Sequence, residues 1–137
     1  MMMTDSALQK RLVDEAMKAR ERAYAPYSGF MVGAALLTSE GELYRGANIE
    51  NSSFGGTICA ERSAFAAAVS EGKRSFAAIA IVGGRKDSGV NAFCAPCGIC
   101  RQFMAEFCPP SFPVILFDGR EIKEKSLGEL LPDSFQL

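Results

Sequence analysis

The sequence contains no histidine. A metal site in this chain must therefore use cysteine or carboxylate ligands, and a general base must be Asp, Glu, Lys, Tyr or Cys. It also lacks an excess of basic charge. Fifteen Lys and Arg stand against sixteen Asp and Glu, for a net charge of −1. That balance excludes the broad cationic footprint of a protein gripping a polyphosphate backbone. No apolar run approaches the roughly 18 residues that span a bilayer. The segment Met1 to Arg22 is amphipathic and charged, unlike a secretory leader. Internal repeats, low-complexity stretches and linkers are missing as well. What remains is 137 residues, 48% of them apolar, which suits a single domain spanning 1–137 with one core. The expected setting is a reducing cytoplasm, without a nucleic-acid or membrane partner.

Thr4, Asp5 and Ser6 can cap a helix, and Leu8, Leu12, Val13, Ala16 and Met17 form an apolar stripe running to about Ala23. Tyr24 to Gly29 is broken by Pro26 and Gly29 and reads as a loop. Met31 to Leu37 and Leu43 to Ala47 read as a hairpin around Ser39-Glu40-Gly41-Glu42. Asn48 to Gly56 is a polar loop. Cys59 to Val69 is an Ala-rich helix expected to be buried on most sides. Phe76 to Val82 suits a strand covered on both faces, and Gly83 to Asn91 a loop. A short helix follows over Gly98 to Phe107, then a strand over Val114 to Phe117 and a last helix over Ser126 to Leu131. Strands alternating with helices predict an α/β fold, a three-layer α/β/α sandwich on a mixed, about five-stranded sheet. Its later part should be parallel.

Two cysteine segments carry the chemistry. One is Thr57-Ile58-Cys59-Ala60-Glu61-Arg62; the other runs from Cys94 through Pro96-Cys97-Gly98-Ile99-Cys100 to Gln102. Cys97-x-x-Cys100 has the spacing of a two-thiolate metal clip. Cys59 and the Cys97/Cys100 pair each sit at the start of a predicted helix, where amides and the helix dipole favour thiolate. Two facing helix starts would gather three thiolates and leave a fourth tetrahedral position open, as in a catalytic zinc site. Glu61, in the first turn after Cys59, can lean over that position and move protons. A carboxylate there also complements the helix dipole without any chemistry. Three thiolates and Zn²⁺ sum to −1, and Arg62 can offset that charge. Arg101 is a weaker candidate for the same task.

A Cys₃ site with a non-ligand Glu is the general description of zinc nucleobase deaminases. Cys59-Ala60-Glu61-Arg62 with Pro96-Cys97-Gly98-Ile99-Cys100-Arg101-Gln102 resembles the homotetrameric zinc-dependent cytidine deaminase family. Tyr27-Ser28-Gly29-Phe30, Asn48-Ile49-Glu50-Asn51 and Leu130 to Phe135 extend the resemblance over nearly the whole chain. The resemblance implies one Zn²⁺ per subunit on Cys59, Cys97 and Cys100, with Glu61 as proton shuttle. It implies that Phe30 packs on the pyrimidine, that Asn48 and Glu50 hold the ribose 3′-hydroxyl, and that Ala60 and Ala95 also touch the substrate. Phe135 would reach a neighbouring subunit's site. The implied reaction is hydrolysis of cytidine and 2′-deoxycytidine to the uridines and ammonia, by hydroxide at the metal, in pyrimidine salvage. Two departures stand out. Phe54 replaces a Tyr that many members carry, and Ala95 a Ser or Thr found in some.

Other readings of the cysteines stay open at this level. Cys94-x₂-Cys97-x₂-Cys100 followed by Cys108-Pro109 echoes an iron–sulfur run, although seven residues separate Cys100 from Cys108 where that run has three. Cys94 or Cys108 as a fourth ligand would close the zinc and make it purely structural. A nucleic-acid editor or an antibiotic-nucleoside deaminase is the rival within deaminases.

Overall fold

The computed structural model describes residues 4–137. Met1 to Met3, at the head of the amphipathic N-terminal segment, lie outside the described residues. Helix α1 spans Ser6–Arg20, and Asp5 caps it by accepting the Leu8 N–H at 2.8 Å. It ends three residues before Ala23. Tyr24 leaves the helix to form an isolated bridge with Ile49, which pulls the chain toward the sheet.

Strands β1 (Phe30–Thr38) and β2 (Leu43–Ala47) form the expected hairpin. A short 3₁₀ turn, Phe54–Gly56, interrupts the polar loop before α2 (Ala60–Ser70). Strand β3 covers Phe76–Arg85, α3 covers Gly98–Phe107 and β4 covers Pro113–Phe117. The chain closes with β5 (Ile122–Ser126) and the four-residue α4 (Leu127–Leu130). The sheet order is β2-β1-β3-β4-β5. The β3–β4 pair is parallel and the other pairs are antiparallel. A crossover through α3 is what a parallel neighbour requires.

Alternation along the strands makes two cores. Ala34, Leu36, Ile79, Ile81, Val114 and Leu116 face α2 and α3. Ala35, Leu37, Ala78, Ala80, Val82 and Ile115 face Leu12, Val13 and Ala16 of α1. The outcome is the expected three-layer α/β/α arrangement on five strands. Phe65 anchors the larger core, fully buried and ringed by Phe76, Phe103, Phe107 and Phe112 at centroid distances of 4.9–6.4 Å. Helix α2 is less enclosed than its composition suggests, because Ala66 and Ala67 face outward.

Strand β5 escapes the hydrophobic pattern. Its core, Lys123-Glu124-Lys125, is charged, as befits an edge strand that resists pairing with other chains. The signal lies in the turn before it. Asp118-Gly119 is a hairpin pair: the Asp118 carboxylate accepts the Arg120 and Glu121 N–H groups, and Gly119 sits at φ +97°.

Candidate metal centre

Cys59 is the N-cap of α2 and Cys97 the N-cap of α3, and neither sulfur makes the usual capping bond. The two helix starts meet at these residues, with Cys59 Sγ 3.8 Å from Cys97 Sγ. Cys100, one turn into α3 and fully buried, completes the group: all three sulfurs lie within 4.8 Å of one another. Tetrahedral zinc with Zn–S bonds of about 2.3 Å places its sulfurs about 3.8 Å apart. The trio therefore fits zinc in both donor chemistry and spacing. Among the described residues no fourth ligand joins the three sulfurs, so a zinc held there would keep one position for a small molecule.

The other two cysteines stand apart. Among the described residues, neither Cys94 nor Cys108 belongs to the sulfur group. Burial alone pushes Cys108, at the end of α3, up to about 12. Burial, with the charges of Glu61 and Cys59, pushes Cys94 up to about 11. Lying outside the sulfur group, they give the iron–sulfur and closed-zinc readings no extra ligand among the described residues.

Electrostatics divide the trio. The Cys100 thiol donates to Cys59, and Arg62 and Cys97 add their own bonds, which pulls Cys59 down to about 5. The same bond to Cys59, with burial, holds Cys100 in its protonated form. Arg62 Nη2 lies 3.6 Å from Cys59 Sγ and 3.4 Å from the Thr57 carbonyl. Its Nε is buried without a hydrogen-bond partner among the described residues. Arg101 goes elsewhere: Nε donates to the Pro96 carbonyl at 2.7 Å and Nη1 to the Leu130 carbonyl at 2.6 Å. It braces the metal loop against the C-terminal segment.

Glu61 lies in the first turn of α2, only 4% exposed. Burial is the main cause that lifts its carboxyl to about 7, and the Cys59 charge adds to it; its own backbone amide, the Cys100 thiol and Arg62 pull the other way. A carboxyl with this affinity exchanges protons readily at neutral pH.

Phe30, at the site-side end of β1, is 39% exposed. The Asn48 side chain is buried and braces that end: its Oδ1 accepts the Val32 N–H and its Nδ2 donates to the Phe30 carbonyl, both at 2.9 Å. Glu50 accepts from the Tyr27 N–H at 2.9 Å, the Ser28 N–H at 3.1 Å and the Ser28 hydroxyl. Those bonds, chiefly the hydroxyl, hold its carboxyl below the usual carboxylate range. Ala60 is fully buried beside Cys59, and Ala95 is exposed two residues before Cys97. Phe135 is 67% exposed, and its carbonyl accepts from Gln102 of α3 at 3.2 Å. A cavity of 870 Å³ between the end of α3 and residues 127–136 holds none of the three sulfurs.

Comparison with known proteins agrees with this geometry. Residues 6–116 match the family described as the cytidine and deoxycytidylate deaminase zinc-binding region. A cytidine deaminase of Sporosarcina psychrophila is 50% identical over 127 residues, covering 92% of this chain and 90% of that protein. One from Halalkalibacterium halodurans is 50% identical over 128 residues, covering 93% of each. The crystal structure of cytidine deaminase from Burkholderia pseudomallei superposes with a TM-score of 0.85 at 46% identity, over 92% of this chain and 98% of that one. With three sulfurs at zinc spacing and a buried glutamate beside them, the chain belongs to the zinc-dependent cytidine deaminase family.

Proposed function

We propose that this chain hydrolyses the exocyclic amine of free cytidine and 2′-deoxycytidine, yielding uridine or 2′-deoxyuridine and ammonia. The observation that carries this reading is the open set of three sulfurs with the Glu61 carboxyl buried beside it. Cys59, Cys97 and Cys100 would hold Zn²⁺. When bound, it supplies Lewis acidity and lowers the pKa of a coordinated water toward neutrality. Arg62 offsets the net negative charge of that core.

Glu61 is the proton carrier. Its carboxylate takes a proton from the attacking water and delivers it to the pyrimidine N3 as C4 becomes tetrahedral. It then takes the proton of the new C4 hydroxyl and hands it to the amine, which leaves as ammonia as the C4 carbonyl forms. A carboxyl poised at about 7 serves both directions. Phe30 offers an exposed aromatic face to the pyrimidine. Asn48 and Glu50 face the sugar and bind its 3′-hydroxyl. Ala60 and Ala95 contact the base through the main chain, the Ala95 carbonyl receiving the departing amine.

A homotetramer completes the picture. Ile99 and Phe54 are 66% and 75% exposed in the isolated chain, and Ile99 lines an open apolar groove on α3 with Phe103 and Phe107. Phe135 then reaches a neighbour's site. The setting is the cytoplasm, in pyrimidine salvage. Among the described residues no helix is long and apolar enough to cross a membrane. A net charge of −1 favours a free nucleoside over a nucleic-acid strand.

The test pairs zinc analysis with the loss of cytidine absorbance. The purified chain should hold one zinc per subunit and convert cytidine, while a cytosine-containing single strand stays unchanged. Glu61→Gln should keep the zinc and lose about 10²–10⁴-fold in turnover. Parental turnover in that variant overturns the shuttle assignment.

A further inference from the structure

We propose that Ser28 is a positioning residue for the nucleoside site, its single hydroxyl holding the sugar-side carboxylate of Glu50 and the base-side ring of Phe30 in fixed relation. The inference rests on the reading of Glu50 and Phe30 as substrate contacts given above.

The hydroxyl proton of Ser28 goes to Glu50 Oε2. Ser28 Oγ in turn accepts the Phe30 N–H at 3.0 Å. A serine hydroxyl has one proton to give, so donating it to a carboxylate fixes the lone pairs that face Phe30. Bonds to a charged acceptor are about twice as strong as neutral ones, which makes this the firm end of the link. Phe30 is then held on both sides, since Asn48 Nδ2 takes its carbonyl. The ring at the start of β1 leaves a backbone whose N–H answers to Glu50 through Ser28 and whose C=O answers to Asn48.

The loop is built to bring Ser28 there. Gly29 sits at φ +70°, a conformation that L side chains rarely adopt, so the chain reverses directly after Ser28. Gly29 N–H donates to the Ala25 carbonyl at 3.0 Å, and its carbonyl accepts from Lys86 at 2.8 Å. Ser28 and Glu50 together line a 320 Å³ cavity walled by Tyr27, Phe54 and Thr57. Thr57 is tied to the metal centre through Arg62, which bonds both its carbonyl and Cys59 Sγ. Ser28 itself is exposed, so removing its hydroxyl opens no hole in a core. A loss of function there is a loss of position.

The experiment compares zinc-loaded S28A, S28T, E50A and S28A/E50A with the parent enzyme on cytidine. S28A should raise KM about tenfold and change kcat by less than about threefold, with one zinc per subunit retained. S28T keeps the hydroxyl and should return KM to within about threefold of the parent. In the E50A background, S28A should add less than about twofold to KM, because the partner it acts through is gone. A parental KM in S28A beside a raised KM in E50A overturns the positioning role alone. So does full additivity of the two substitutions, or a fall in kcat without a change in KM. A parental KM in E50A overturns the sugar-binding reading and the inference with it.

Discussion

Gly46 of β2 is in backbone contact with Ala60 of α2: a methyl group at Gly46 would run into the Ala60 carbonyl oxygen and sit 2.5 Å from the Ala64 nitrogen. Ala60 lies between Cys59 and Glu61, so this contact sets where the sulfur and the carboxyl stand relative to the sheet. Gly33 plays the equivalent part on the opposite face, where α1 passes against it at Ala16 and Arg20. Neither position can accept even alanine without moving a helix.

The G46A variant should therefore lose both stability and metal. Backbone cannot yield as a side-chain tip can, so a cost of about 2 kcal/mol or more is expected. For a chain of this size that lowers Tm by about 7 °C. Calorimetry and zinc analysis check it; parental values for both would mean that α2 adjusts freely. A matched G33A variant should lose stability and keep its zinc, since α1 carries no ligand.

Much of this could be read from the residues alone. The spacing of Cys97 and Cys100, the placement of Cys59 two residues before Glu61, and the helix starts at both segments were enough to bring the sulfurs together. The continuous apolar run of Phe76 to Val82 announced a strand covered on both faces, and Ile79 and Ile81 do face one core while Ala78, Ala80 and Val82 face the other. What escaped has physical reasons. Strand β5 is charged because it is an edge, so hydrophobic alternation cannot find it; Asp118-Gly119 could have. Arg101 looked like a partner for sulfur because it follows Cys100, but helical geometry turns it toward the Pro96 and Leu130 carbonyls. Ser28 stood within the Tyr27-to-Phe30 stretch that carried the resemblance, but its role had no signal, since its bond to Glu50 joins residues 22 apart.

Arg62 should govern the acidity of Cys59. In the zinc-stripped protein, Cys59 ionises at about 5, with the Cys100 thiol as the first cause and Arg62 as a further one. R62A removes the guanidinium, so the midpoint should rise by about one pH unit. The pH dependence of Cys59 alkylation, followed by mass spectrometry, measures it. An unmoved midpoint would show that the thiols alone set the acidity. R62A should also release zinc faster to a chelator, because the core keeps its negative charge unanswered.

Glu50 makes the loop that carries Ser28 sensitive to acid. Its folded pKa lies below the ordinary 4.5, held there first by the Ser28 hydroxyl and then by the Ser28 and Tyr27 amides. The contribution of the ionised carboxylate is therefore complete above pH 4.5 and is lost as pH falls through the lower folded value. The amide resonances of Tyr27 and Ser28 should titrate with a midpoint below 4.5. In S28A the midpoint should move up toward 4.5. A parental midpoint of 4.5 or higher would mean that those bonds do not favour the charged form.

Glu61 has the opposite sign. Its carboxyl holds a proton more tightly in the fold than in the unfolded chain, with a pKa raised from 4.5 to about 7. Burying this acid costs nothing below pH 4.5, where both states are protonated. The cost grows as pH rises through the window from 4.5 to about 7 and is fully present above it. Its limit is on the order of 3 kcal/mol. Cys59 works against this trend, because its lowered pKa adds stability as pH rises from about 5 to 9. Glu61 and Cys59 repel each other when both are charged, so the difference between the parent and E61Q reads the full cost of charging the glutamate, that repulsion included. In zinc-stripped protein, the Tm advantage of E61Q should be small at pH 4.5, grow to about 10 °C by pH 7.5 and then level off. An advantage that stays flat across this range would mean that Glu61 is not charged against its burial, and that the proton it is proposed to carry is not held where the geometry puts it.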